Sequence, residues 1–413
     1  MQNLTLRDLP VNDKKVIVRV DFNIPLKNGE VQDDTRIRYS LPTLRYLLDR
    51  NARVILLTHL GRPKGQVKEE LRLDPLVRKL KSLLGVNVHK VDDISGEKAQ
   101  QAVWNLAAGE VLLLENIRFE PGEEKNDPLL AAQLANLGDV FVNDAFGTAH
   151  RSHASTAGIA AHLPSAAGFL LEKEIDTLQE CLENPRRPLT VVLGGAKVSD
   201  KVGVIKRFLQ TADNLVIGGG MANTFLAAKG YPLGASFYEA GSVEDARQLL
   251  GQLEEYRCKL YLPHDLVVAR EIEEGASVRE VPVEEIPEGE KAADIGAKTV
   301  QVFGNVLSSS SLVVWNGPLG VFEVPPFHRG TEGVARAAVE SEAYLLIGGG
   351  DTVSAFEKVG LLEGVDYVST GGGATLEFWE KGSLPGIEAL SSKTQSSNNR
   401  AETPGKVKQY QKE

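Results

Sequence analysis

"YLLIGGGDTVSAF" (residues 344–356) runs as an apolar stretch into three glycines, passes an Asp and continues with a helical pattern. A buried strand, a glycine turn and a helix in that order are one half of a β/α unit. The turn lets the backbone approach a ligand closely and aims unpaired helix N–H groups at an anion. Three similar stretches accompany it: "LTVVLGGAKVSDK" (189–201), "NLVIGGGMANTF" (214–225) and "DYVSTGGGATLEF" (366–378). One such turn is explained by tight-turn geometry alone; four in one half of a chain point to a shared anionic ligand. In a parallel sheet all four would lie at the carboxyl ends of strands, where ligands bind.

The alternation extends outward from these turns. "KKVIVRV" (14–20), "RVILLTH" (53–59), "EVLLLEN" (110–116) and "DVFVND" (139–144) read as strands buried on both faces. Between them "LPTLRYLLDR" (41–50), "LDPLVRKLKSLLG" (73–85) and "DPLLAAQLANLG" (127–138) carry apolar residues at helical spacing. After the long helical pattern of 168–184 a second series begins, with strands expected at 189–193, 214–217, 312–315, 343–347 and 365–368. The expected fold class is α/β, with two doubly wound, Rossmann-like parallel-sheet domains joined by that helix. The boundaries are placed at 1–170, 171–184 and 185–383. The polar segment 391–413 has no periodic apolar face and is expected to be disordered.

Composition narrows the function classes. The 413-residue chain carries a net charge of −10, which argues against generic nucleic-acid binding. No apolar run reaches bilayer length, so no membrane partner is expected, and "MQNLTLRDLP" has no secretory pattern. Two cysteines, Cys181 and Cys258, fit a reducing compartment rather than a disulfide framework, and a cytoplasmic location is expected.

The chemistry-bearing residues divide between the halves. Lys197 and Lys201 follow a Gly-Gly turn and suit phosphate oxygens. Asp351 after glycine at a helix start is most often a simple N-cap, but a carboxylate beside bound phosphate fits a Mg²⁺–nucleotide complex. Neither a P-loop nor a kinase catalytic-loop pattern is present, and no G-x-G-x-x-G follows the first strand. The first half instead offers Arg36, Arg62, Arg118 and Arg151, whose planar forks would read a small, highly anionic substrate. Asp21 and Asn23, just past a strand end, could bind hydroxyls, and His59, His150 and His153 read as hydrogen-bonding groups before metal ligands.

Taken together, "RVDFNIP", "DDTRIR", "THLGRP", "LLENIRF", "NDAFGTAHRSHAS", "GFLLEKEI", "GGAKVSDK", "GGGMANTF", "WNGPLGVFE", "GGGDT" and "STGGGA" resemble the phosphoglycerate kinase family from about residue 4 to 390. The resemblance implies Mg-dependent phosphoryl transfer between 1,3-bisphosphoglycerate and ADP, giving 3-phosphoglycerate and ATP. It places phosphoglycerate in the N-terminal domain, on Asp21, Asn23, Arg36, His59, Arg62, Arg118 and Arg151. Mg-nucleotide falls in the C-terminal domain, on Lys197, Lys201, Gly296, Asn316, Glu323, Gly350, Asp351, Thr352 and Val353, with Asp351 as metal ligand. Arg36 and Lys197, with the helix start at Gly372 and Gly373, would meet the transferring phosphoryl group. It further implies a monomer, a hinge in the linking helix, and return of residues 384–390 to the first domain. Two departures stand out: Ala297 replaces the usual proline of "DIGPKT", and "EVPPFHRGT" (323–331) carries an unusual Pro-Pro, so loop stiffness is expected to differ there. A dinucleotide oxidoreductase and a non-catalytic phospho-ligand binder are the alternatives; the first lacks its glycine fingerprint and the second would have lost charge-neutralising residues.

Overall fold

A computed structural model describes residues 5–391; the disorder expected beyond lies outside the described residues. The described residues form two compact units, one holding 5–173 and 384–391, the other Glu174–Ser383. The division falls inside the helix Phe169–Glu183.

In the first unit six parallel strands pair in the order Val88–Lys90, Val111–Leu113, Arg53–Leu57, Lys15–Val20, Val140–Asp144 and Ser165–Ala167. The central strands are buried almost throughout because helices cover both faces, which is why they read as unbroken apolar runs. The helix expected from residue 41 begins earlier, at Thr35, and carries Pro42 in its interior. A proline reads as a first-turn residue, but Asp33 caps this helix upstream by accepting the Thr35 N–H at 2.9 Å. Arg36 therefore stands on the first turn of a helix and not in a loop. The short helix Pro385–Ser391 packs into this unit: the Gly386 N–H donates to Ala149 O at 2.8 Å, and Leu384, Ile387 and Leu390 are buried.

The N-terminus of the helix Phe169–Glu183 is capped by Asp144, whose Oδ1 accepts from the N–H of Leu170 at 2.9 Å and of Leu171 at 3.4 Å. Complete burial pushes the Asp144 carboxyl up to about 7, against the pull of Thr43 and the two N–H donors. Because the folded state holds a proton that the unfolded chain releases above the usual carboxylate range, stability should fall as pH rises from about 4 to about 7 and level off above it. Asp144→Asn keeps the accepting oxygen and removes the titration. We expect its urea midpoint to exceed wild type at pH 7.5 by roughly 2–4 kcal/mol equivalent, shrinking towards pH 4. A parallel pH dependence of the two proteins would refute this.

In the second unit the strand order is Lys259–Tyr261, Asn214–Ile217, Leu189–Leu193, Leu312–Asn316, Tyr344–Gly348 and Tyr367–Ser369, all parallel. Numbered along the chain this is 3-2-1-4-5-6, the doubly wound order, with its switch point between Leu189–Leu193 and Leu312–Asn316. An antiparallel sheet of Arg279–Pro282, Asp265–Ala269 and Lys291–Ile295, absent from the sequence reading, packs on its side. Cys181 and Cys258 are free and buried, and no helix among the described residues is long and apolar enough to cross a membrane.

Candidate active site

Four adjacent strands of the first sheet end in the singled-out side chains. Asp21 and Asn23 follow Lys15–Val20, His59 and Arg62 follow Arg53–Leu57, Arg118 follows Val111–Leu113, and Arg151 follows Val140–Asp144. Parallel pairing puts all these carboxyl ends along one edge. Arg36 reaches the cluster from its helix and pairs with Asp21 Oδ2 at 2.5 Å. Asp21 is thus the counter-ion that aims Arg36, with its other oxygen 3.9 Å from His59 Nδ1. Asn23 Oδ1 accepts the Gly61 N–H at 2.9 Å, Arg118 donates to Gly61 O at 2.7 Å, and Arg151 donates to His150 Nε2 at 3.2 Å. Arg62 is exposed on the loop between them.

Behind this edge lies Arg19, which the sequence reading did not single out although it interrupts an apolar strand. It is fully buried and donates to Ser155 Oγ at 2.9 Å and to His59 Nδ1 at 3.2 Å. Ser155 in turn donates from its hydroxyl (2.6 Å) and its N–H (2.9 Å) to the buried carboxylate of Glu123. A guanidinium has no acceptor, so the contact makes His59 Nδ1 the acceptor and leaves the ring proton on Nε2. Burial, and then the charges of Arg19, Arg118, Arg36 and Arg151, hold the His59 imidazole well below its usual range. Burial and the neighbouring Arg151 also push the Arg118 guanidinium down to about 10. Cations that destabilise one another in this way are poised for an anion. Elsewhere in the unit Asp74, Asp92 and Glu115 lie together, but the Lys90 ammonium sits among them, 3.1 Å from Asp74 and 3.0 Å from Glu115. That cluster is an internal ion network.

In the second unit five adjacent strands end in the glycine turns and in Asn316. The two turns at the switch point interlock: the Gly194 N–H donates to Asn316 O at 2.9 Å and the Gly195 N–H to Pro318 O at 2.8 Å. A Cβ at Gly194 would stand 2.0 Å from Pro318 O, so this glycine serves backbone packing. Gly350 and Gly373 differ: a Cβ at either would meet nothing within 4 Å, and both line an open cleft of about 380 Å³ with Lys197, Lys201, Asn316, Asp351, Thr352 and Gly372. Their absent side chains leave space for something other than protein.

Lys201 is buried at the switch point, donating to Gly194 O at 2.6 Å and Asn316 O at 3.2 Å. Burial lowers its ammonium to about 8, against the opposing pull of Asp351 and Asp200. Asn316 Nδ2 donates to Gly348 O at 2.8 Å. The Thr352 hydroxyl donates to Gly348 O at 2.8 Å and accepts the Gly317 N–H at 2.7 Å. Helix geometry leaves the N–H groups of Gly350, Asp351 and Thr352 without intrahelical acceptors, while that of Val353 already bonds to Gly349 O at 3.1 Å. Gly372, at φ +54°, precedes the helix Gly373–Lys381. Its turn is fixed by the buried carboxylate of Glu174, which accepts from Thr370 N–H (2.6 Å), Thr370 Oγ (2.7 Å) and Ser369 Oγ (2.9 Å).

A larger, mainly apolar cavity of about 610 Å³ adjoins this cleft and shares Gly195, Ala196, Pro318 and Asp351 with it. Its walls include Leu319, Val321 and Glu323, on a loop held by Lys358 Nζ donating to Phe322 O (3.0 Å) and Glu323 O (2.9 Å). Phe237 and Lys291–Asp294 complete it, residues for which the sequence offers no signal because they arrive from the antiparallel sheet and a distant loop. Gly296 is outside this lining; it caps the helix Ala297–Ser308 and faces the Asp265 carboxylate. Ala297, the departure from the family proline, donates its N–H to Glu280 Oε2 at 3.1 Å, a bond proline cannot make.

Comparison with known proteins agrees with these features. The family model described as phosphoglycerate kinase matches residues 6–381. A phosphoglycerate kinase of Moorella thermoacetica is 55% identical over 393 residues, covering 95% of this chain and 100% of that protein. One of Rubrobacter xylanophilus is 54% identical over 390 residues, covering 94% and 98%. Among solved structures, phosphoglycerate kinase from Coxiella burnetii superimposes with a TM-score of 0.86 at 40% identity, and that from Pyrococcus horikoshii with 0.79 at 34%; each covers 94% of this chain and 98% of the other. The chain belongs to the phosphoglycerate kinase family.

Proposed function

We propose that this protein catalyses reversible phosphoryl transfer between 1,3-bisphosphoglycerate and ADP, giving 3-phosphoglycerate and ATP. The observation that carries the reading is the arginine edge of the first sheet, where Arg36, Arg118 and Arg151 crowd a neutral His59. Such an edge suits a small molecule bearing both phosphate and carboxylate. In this reading Arg62, Arg118 and Arg151 neutralise the substrate, Asn23 and His59 Nε2–H bond its oxygens, and Asp21 sets Arg36 in place. The 610 Å³ cavity takes the nucleoside, with Glu323 on the ribose side, and the adjoining cleft takes the phosphates.

In the ATP-consuming direction the carboxylate oxygen of 3-phosphoglycerate attacks the γ-phosphorus, the bond to the β-phosphate oxygen breaks, and ADP leaves. The nucleophile is already ionised, so no general base is required, and His59, held neutral by its arginines, serves as a donor. Positioning and charge neutralisation are then the tasks left to the protein. Arg36, Lys197 and the N–H groups at Gly372 and Gly373 face the transferring group. Asp351, exposed at a helix start and lining both spaces, offers oxygen ligands suited to Mg²⁺. A bound Mg²⁺ would offset phosphate charge there. Donor and acceptor sites belong to different units, so closure of the two units on bound substrates is part of the proposed mechanism.

Lys201 supplies a separate check on the nucleotide site. With its ammonium lowered to about 8, it is half neutral at that pH, and bound phosphate restores the charged form. MgADP binding at pH 8 should take up about half a proton, and much less at pH 7, as read by calorimetry in buffers of different ionisation enthalpy. Equal uptake in Lys201→Met would refute the assignment.

The deciding experiment is steady-state transfer from MgATP to 3-phosphoglycerate, with the acyl phosphate consumed by a coupled reductase. Turnover establishes the reaction. Binding of both ligands without turnover would identify a phospho-ligand-binding protein instead.

A further inference from the structure

Residues Phe237–Glu239 form a strap that runs from the large cavity to the lysine turn. The backbone is fastened twice to the helix Gly219–Ala228: Asn223 Nδ2 donates to Phe237 O at 2.9 Å, and the Glu239 N–H donates to Thr224 Oγ1 at 3.0 Å. At one end the Phe237 ring, 55% exposed, lines the 610 Å³ cavity. At the other the Glu239 carboxylate grips Ser199, accepting its hydroxyl at 2.6 Å and its N–H at 2.9 Å. Ser199 lies between Lys197 and Lys201.

We infer that Glu239 is a positioning residue for the nucleotide site, holding the lysine turn through Ser199 so that one strap sets both the base wall and the phosphate-binding lysines. This rests on the reading of the cleft as a nucleotide site. The two bonds to Ser199, with lesser help from Ser242 and the Val198 N–H, hold the Glu239 carboxyl below its usual range, so the grip persists at neutral pH. Hydrogen bonds to a charged acceptor are the stronger kind, and both of Ser199's donors meet one here.

The test compares wild type, Glu239→Ala, Glu239→Gln, Ser199→Ala and the Glu239→Ala/Ser199→Ala double variant. MgADP affinity is read by titration, together with kcat, both KM values and Tm. Losing the grip should weaken MgADP and raise the MgATP KM about ten-fold, while the 3-phosphoglycerate KM stays within about two-fold. Glu239→Gln, with one accepting oxygen in place of two, should fall between. The double variant should match Glu239→Ala, because Ser199 then has no carboxylate to lose. Unchanged nucleotide constants in Glu239→Ala, or equal changes for both substrates with a falling Tm, would overturn the inference and leave the nucleotide site intact. Failure of the wild type to bind MgADP would overturn both.

Discussion

Arg36→Ala should reduce turnover by ~10³-fold or more while nucleotide affinity stays close to wild type. The side chain stands on the first turn of the helix Thr35–Leu48, held at 2.5 Å by Asp21. It is 39% exposed, so breaking the pair should cost at most about 1 kcal/mol of stability. The loss would fall instead on the transition state, where charge spreads over the phosphoryl oxygens and a preset guanidinium needs no reorganisation. Arg36→Lys should recover little, since a point charge cannot replace a planar fork. Turnover within ten-fold of wild type in Arg36→Ala would remove Arg36 from the mechanism.

Lys197→Ala should lower kcat by roughly 10²-fold with a smaller change in the KM for 3-phosphoglycerate. Lys197 is exposed on the turn after Leu189–Leu193 and lines the 380 Å³ cleft beside Gly372 and Gly373. Unlike Lys201, which is committed to two carbonyls of the switch point, its ammonium makes no hydrogen bond or ion pair among the described residues. In the proposed mechanism its charge would follow the phosphoryl group, and its removal should leave the packing of the turn unchanged. A Tm close to wild type with collapsed kcat is the expected pattern. A fall in Tm with near-normal kcat would assign Lys197 to the fold.

Much of this architecture is legible along the chain. A parallel strand covered on both faces must be apolar at successive positions, so "VVL", "LVI" and "LLI" before glycine turns announce both strand and sheet type. Asp351, Lys197, Lys201 and the arginines are recognisable because charged residues stand where those runs end. The antiparallel strands Asp265–Ala269, Arg279–Pro282 and Lys291–Ile295 escape the same reading: the last two are broken by charges and proline, and the first, though apolar, runs into no glycine turn.

The sequence alone determined the central buried strands of both parallel sheets and which charged groups sit at their ends, because those properties follow from local periodicity and composition. Only the tertiary structure decided that Leu189–Leu193 lies beside Leu312–Asn316, that Arg19 fixes the proton of His59, and that Phe237 and Lys291–Asp294 wall the 610 Å³ cavity. Backbone hydrogen bonds between strands are the same whatever the side chains. The order of strands is therefore set by how whole layers pack, and with it the choice of distant residues that meet.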